Sequence, residues 1–278
     1  METITNHNNI LVRLLHVPVL TYHKIDVRRE LGLNSISPSR FRKQIEFLSR
    51  AGYQGITFKE VLYSQNLPEK SVIITFDDGY ESVFKYAYPV LKEYGFRAVV
   101  YVISGFVGQW NSWDIRPGGV KFRHLDESQI KALLSAGWEI GAHGVTHRAL
   151  TSLSSKELER EIFLCKTQLS ELCGNSIDTI AYPFGLHNPM VHQVVKAAGF
   201  QLGCGSIRNL NGSLSAFQIP RIPVYWGEGK RAFCQKLKGL NIPKHERVKL
   251  LTLSLPSVVT PIYQKLFCKQ LFVDCQTE

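Results

Sequence analysis

The chain has 278 residues, within the size of one α/β barrel, and its 44% hydrophobic and 20% charged residues exclude a disordered chain. No period of 20–50 residues is present, which excludes a repeat array. The formal charge of +10 favours an acidic partner such as nucleic acid, an anionic membrane or a phosphorylated substrate.

The first ten residues, METITNHNNI, are polar, and the apolar stretch behind them is broken by Arg13, His16 and Pro18. No signal peptide is expected from such a pattern. The six cysteines form no C-x-x-C pair and sit in apolar surroundings, as reduced core cysteines do. Both points lead to an expectation of cytoplasmic residence.

VPVLTYH (17–23) predicts a short buried strand. Ser37 as N-cap, Pro38 at the first helical position and Gly52 as stop predict a helix between them. The β-branched run VIITF (72–76) predicts a strand, followed by a helix from about Glu81 to Tyr94 and a strand over 97–103. Segment 104–124 is rich in Gly, Asn and Trp and reads as a long loop, a length usually tied to function. Asp126 with Gln129, and Ser154 with Glu157, are capping boxes that open two helices, with a strand over 138–142 between them. A strand (176–182), a helix (188–199) and a strand (200–205) complete the series. This alternation argues a parallel sheet with helices outside, an α/β barrel.

In such a barrel chemistry collects at the C-terminal strand ends. Four ends carry polar groups foreign to a core: Tyr22–His23, Asp77–Asp78, His143 with His147, and Tyr182–Gly185. Each alone is more often a turn or a hydrogen-bonded rim residue; four at equivalent places point to a site. HGVTH (143–147) spaces two imidazoles four residues apart, which on a helical turn would put both on one face, suited to a metal. Two histidines and one aspartate match a zinc site with one position open. A divalent ion would also offset the repulsion between Asp77 and Asp78. Side chains of adjacent strand residues diverge, so one carboxylate can bind the ion while the other faces the attacking water.

TFDDG (75–79), HGVTH (143–147) and YPFGLHN (182–188) resemble, in order and spacing, the first three motifs of the NodB-type polysaccharide deacetylases, carbohydrate esterase family 4. The resemblance runs from about Val17 to Val224. It implies a distorted (β/α) barrel over 1–229 and a metal-dependent hydrolase that removes the N-acetyl group of an amino sugar in a polysaccharide or lipid-linked glycan. Position by position, it implies Asp78, His143 and His147 as metal ligands and Asp77 as general base. It also implies the backbone N–H of Phe184 as oxyanion donor. Zinc is the family's usual ion, though such a site also accepts cobalt, nickel or iron. Two departures stand out. The usual third motif begins with arginine where this chain has Ala181, and no late Leu-x-x-His-type histidine follows Gly205. Both resemble the circularly permuted poly-N-acetylglucosamine deacetylases, where the catalytic histidine ends an early strand. That makes His23, in VLTYHKI, the expected general acid, and Arg221, in IPRIPVY, the candidate to replace the missing arginine. The alternatives are His187 or His192 as acid, and, at the level of the whole chain, an inactive glycan-binding member of the same fold.

Residues 230–278 lie beyond the resemblance and carry nine basic against three acidic residues around the apolar LLTLSLPSVVTPIY (250–263). The expectation is a basic, partly apolar C-terminal tail that either meets an anionic membrane surface or packs on the barrel. No nucleic-acid recognition motif is present.

Overall fold

The computed structural model describes residues 10–28, 33–113, 119–208 and 215–254. Ten strands and eight labelled helices alternate along them. The strands are β1 (Val19–Tyr22), β2 (Lys24–Ile25), β3 (Ser35–Ile36), β4 (Gln54–Ile56), β5 (Ser71–Phe76), β6 (Val99–Val102), β7 (Glu139–Ala142), β8 (Thr179–Ala181), β9 (Leu202–Cys204) and β10 (Ile222–Pro223). The helices are α1 (Pro38–Arg50), α2 (Phe58–Tyr63), α3 (Tyr88–Glu93), α4 (Glu127–Ser135), α5 (Ser155–Cys173), α6 (Pro189–Ala197), α7 (Lys230–Lys236) and α8 (Lys244–Leu253).

The main sheet is parallel in the order β10-β1-β5-β6-β7-β8-β9, with β4 added to the first half of β5. It curls on itself. Ile219 bridges Cys204 of β9, and three residues later Ile222 pairs with Leu20 of β1, so one short segment joins the two ends. The result is the expected distorted (β/α) barrel. Alternation along each strand sorts the core. Leu20, Ile74, Val100 and Ile140 pack under Phe41, Leu133, Ile162 and Val195 of the helices. Val19, Ile73, Val99, Tyr101 and Cys204 fill the inside. Asp77 continues the inward series Ile73, Thr75, which is why it faces the mouth of the barrel.

The helix starts follow the caps read from sequence. Ser37, Asp126 and Ser154 each accept a backbone N–H in the first turn, and Gly174 ends α5 at φ 66°. The expected 81–94 helix opens instead with a π turn over Val83–Ala87, closed by the Tyr88 N–H to the Val83 carbonyl. Pro89 has no N–H to give and its ring crowds the carbonyl four residues back, which widens the ladder there.

The segment expected as a tail begins as part of the fold. Phe233, Ile242 and Leu250 are core residues. Lys236 is fully buried, with Nζ 2.9 Å from Glu228 Oε1 and donating to the Pro223 carbonyl. A cut at 229 would strip this packing and strand Glu228 as a buried charge. Most of the apolar 250–263 stretch lies outside the described residues. No helix among those described is long and apolar enough to cross a membrane. Cys165 and Cys204 are buried, Cys173 and Cys234 half-buried, and all four are free thiols.

The closed end of the barrel holds one carboxylate with a pH consequence. Glu139 is 1% exposed; Oε2 accepts the Lys59 N–H at 2.8 Å and Oε1 the Thr179 hydroxyl at 2.8 Å. Burial pushes its pKa up to about 7. The unfolded chain, with a glutamate pKa of about 4.3, therefore loses this proton first as pH rises. Glu139 thus subtracts stability between about pH 4 and pH 7, by ~4 kcal/mol when fully ionised. Glu139→Gln keeps the acceptor for the Lys59 N–H and reverses the other bond, its NH2 donating to the Thr179 hydroxyl oxygen. Its melting temperature is expected to gain on wild type by several degrees more at pH 8 than at pH 5. Parallel melting curves across that range would contradict this reading.

Candidate active site

The strand ends converge as the sequence indicates. The Asp77 N–H donates to the Tyr22 carbonyl at 2.9 Å, which sets the ends of β1 and β5 level. Asp77 stays in line with its strand, but Asp78 leaves it at φ 68°, a left-handed turn that aspartate tolerates better than most residues. That turn swings the Asp78 carboxylate to the ends of β7 and β8. Asp78 Oδ1 lies 3.4 Å from His143 Nε2 and 3.3 Å from His147 Nε2, all three residues buried.

HGVTH is not the helical turn expected from its spacing. It is an irregular loop after β7 in which Gly144 (φ 79°) and His147 (φ 57°) are left-handed, and these two turns bring the second ring back beside the first. Phe184 (φ 60°) is the third left-handed non-glycine residue among those described. Its ring packs edge-on against His147 with centroids 4.7 Å apart. Such conformations cost of order 1–3 kcal/mol each and gather where the surroundings impose them.

The donor set fits a divalent ion. Bonds of about 2.1 Å in a tetrahedron separate two ligand atoms by about 3.4 Å, against the 3.4 and 3.3 Å found. The three ligand atoms all lie within 4.8 Å of one another. His143 Nδ1 meets the Ala181 carbonyl at 2.8 Å, which places the proton there and leaves the Nε2 lone pair for an ion. Burial raises the Asp78 pKa, but the two imidazoles beside it outweigh that and hold the carboxyl well below its usual range.

Asp77 has a different environment. Arg221 grips it with two bonds, Nη1 to Oδ1 at 2.6 Å and Nη2 to Oδ2 at 2.8 Å. Arg221 is itself buried, is further held by Thr75 Oγ1 and the Gly205 carbonyl, and lies over the Tyr101 ring. Burial raises the Asp77 pKa, and the guanidinium overrides it and keeps the carboxyl below its ordinary value. Arg221 thus sets a buried positive charge directly against Asp77.

His23 is half-buried just past β1, near enough to act electrostatically on both Asp77 and Asp78. His187 and His192 instead pair with each other at 2.8 Å and stack beside Tyr182. In the Phe184 turn, the N–H groups of Gly185 and Leu186 bond back to Tyr182 and Pro183. A Cβ on Gly185 would meet Ser206 at 2.5 Å, so only glycine fits there.

Sequence reasoning missed two residues of the 104–124 loop. His124 Nδ1 meets the Asp78 carbonyl at 2.7 Å, and the Trp113 indole N–H donates to His124 Nε2 at 3.1 Å. Burial pushes the His124 pKa down to about 4, so the ring is neutral and can serve both contacts. The Trp113 ring covers His147 at 3.9 Å between centroids. The loop's length and tryptophan content marked it as functional; which side chains turn inward did not show in the sequence.

A model of the polysaccharide deacetylase family matches residues 64–203, half of the chain. A poly-beta-1,6-N-acetyl-D-glucosamine N-deacetylase of Staphylococcus aureus is 30% identical over 214 residues, covering 70% of each chain. The chain belongs to the polysaccharide deacetylase family. Among solved structures, the Streptococcus pyogenes deacetylase PplD in complex with acetate is 25% identical, with a TM-score of 0.68 over 80% of this chain and 97% of its own. IcaB from Ammonifex degensii, 23% identical with a TM-score of 0.65 over 81% and 97%, shares the fold. This polysaccharide deacetylase is accordingly a hydrolase that removes acetyl groups from polysaccharide.

Proposed function

We propose that the enzyme is a divalent-metal-dependent de-N-acetylase acting on N-acetylglucosamine units of an envelope polysaccharide or its lipid-linked precursor. One observation carries the reading: the Asp78 carboxylate stands from both His143 and His147 at the edge length of a tetrahedral ion site, beside an inward carboxylate held by Arg221.

A divalent ion there, zinc by family usage, would acidify the attacking water and polarise the amide carbonyl. The remaining steps fall to the chain's own side chains. Asp77 takes the proton of the water as it attacks. Its carboxyl is a weak base because Arg221 depresses it; the grip keeps it ionised and aimed, and the acidified water makes up for the low basicity. The Phe184 N–H steadies the tetrahedral oxyanion. His23, protonated, gives its proton to the departing amine, which could not leave as an anion. Acetate and a free amino sugar result.

The His23 role has a selective test. Loss of a positioned acid costs about 10²–10⁴-fold only where the leaving group needs the proton. His23→Ala is expected to lose that much on N-acetylglucosamine oligomers and less than about tenfold on an activated aryl acetate, whose leaving group departs as an anion. Equal losses on both substrates would remove His23 from this role.

A location follows from a separate observation. Lys230, Arg231, Lys238, Lys244 and Lys249 are exposed, while Glu246, the sole acid between 230 and 254, is buried. We propose that these exposed cations meet an anionic membrane at its cytoplasmic side, each contributing about 1 kcal/mol. The full chain is expected to pellet with phosphatidylserine vesicles at low salt and to release at high salt. Equal pelleting with neutral vesicles would contradict it.

A further inference from the structure

Glu161, on α5, takes no part in the chemistry above, yet its buried carboxyl is spent on the ligand loop. Oε2 accepts the N–H of Val145 at 2.8 Å and of Thr146 at 3.0 Å, and Oε1 accepts the Thr146 hydroxyl. Val145 and Thr146 stand between the two imidazoles. The loop has no helical ladder of its own. Its carbonyls at Gly144 and Val145 are taken by the N–H groups of Ser104 and Gly105, both at 3.1 Å. The N–H groups of Val145 and Thr146 are taken by Glu161. Between these two grips the backbone must pass through left-handed Gly144 and His147, and a Cβ at Gly144 would stand 3.0 Å from Glu161 Oε2.

We propose that Glu161 is a positioning residue for metal uptake. It holds the loop so that both Nε2 atoms stand at binding distance from one ion without further rearrangement. The proposal rests on the metal-dependent reading above. Its physical content is preorganisation: without the carboxyl, the Val145 N–H and the buried N–H and hydroxyl of Thr146 need new partners, and the loop must leave its strained path to find them. Geometry rather than charge is what the loop requires. Glutamine can set its oxygen at the Oε2 position and turn its NH2 to the Thr146 hydroxyl, so it restores the clamp. Aspartate is one methylene short and alanine offers nothing.

The test is cobalt affinity of the metal-stripped full chain, read by chelator competition and by the visible spectrum of the bound ion, with folding followed by circular dichroism. Glu161→Ala and Glu161→Asp are expected to bind Co2+ about 10–100-fold more weakly than wild type, with an altered spectrum. Glu161→Gln is expected to stay within about threefold. A folded Ala or Asp variant with wild-type affinity and spectrum overturns the proposal. So does a folded Gln variant that loses tenfold or more, and so does failure of both shorter variants to fold, which would make Glu161 a folding residue. Asp78→Asn, run in parallel, keeps the two readings apart. If it loses the ion while Glu161→Ala does not, only the clamp fails. If wild type takes up no cobalt at all, the metal reading falls and the clamp with it.

Discussion

Asp78→Asn is expected to lose metal and turnover together, by roughly 10³-fold or more, since in the proposed mechanism the ion's Lewis acidity would supply several kcal/mol of barrier lowering. The substitution is chosen for its shape. Asparagine is among the side chains that best tolerate the left-handed backbone found at φ 68°. It keeps the volume between His143 and His147 and removes the anionic oxygen that both rings approach. The melting temperature without metal should therefore change little, which separates ligand loss from unfolding. Tight metal binding by Asp78→Asn, with loss of metal in Asp77→Asn, would reverse the roles of the two carboxylates.

Asp77→Asn has the opposite signature. It is expected to keep the ion and to lose about 10²–10⁴ in turnover, because an amide cannot accept the water's proton. It should also be less stable. Arg221 is 4% exposed, and an amide leaves its charge uncompensated inside the protein, a defect of about 3–5 kcal/mol. Assays therefore belong well below the melting temperature of the variant. The double variant Asp77→Asn/Arg221→Met removes the orphaned charge, so it is expected to regain much of the stability and none of the turnover. Recovery of activity in the double variant would show that Asp77 acts by balancing Arg221 and not as a base.

Much of this site was legible in the chain because its signals are local. The β-branched run before Asp77, the capping boxes at Asp126 and Ser154 and the glycine stop at Gly52 each fix an element within a few residues. What escaped depends on distant parts of the chain. Strand β4 is three residues long and α2 six, too short for periodicity to register, although Thr57 and Glu60 form a capping box. The i,i+4 spacing of His143 and His147 suits a helical turn and a loop with two left-handed residues equally well; Glu161 and the 104–105 backbone decide between them. Arg221 and Asp77 are 144 residues apart, so their pairing could be suggested by the gap at Ala181 but not seen. His124 and Trp113 turn inward because bridges Tyr80–His124 and Trp110–Arg123 fold their loop back over the mouth. In the last segment, charge count hid the packing: Phe233, Ile242 and Leu250 reach the core between basic residues whose heads stay outside.

Acetate release from β-1,6-linked N-acetylglucosamine oligomers, matched to new amines by mass spectrometry, tests the central claim most directly. It should be measured on the full chain as purified, after chelation, and after return of one equivalent of Zn2+ or Co2+. The account predicts release that stops on chelation and resumes with the ion, while circular dichroism stays unchanged. Continued release from protein shown by elemental analysis to be metal-free would contradict it.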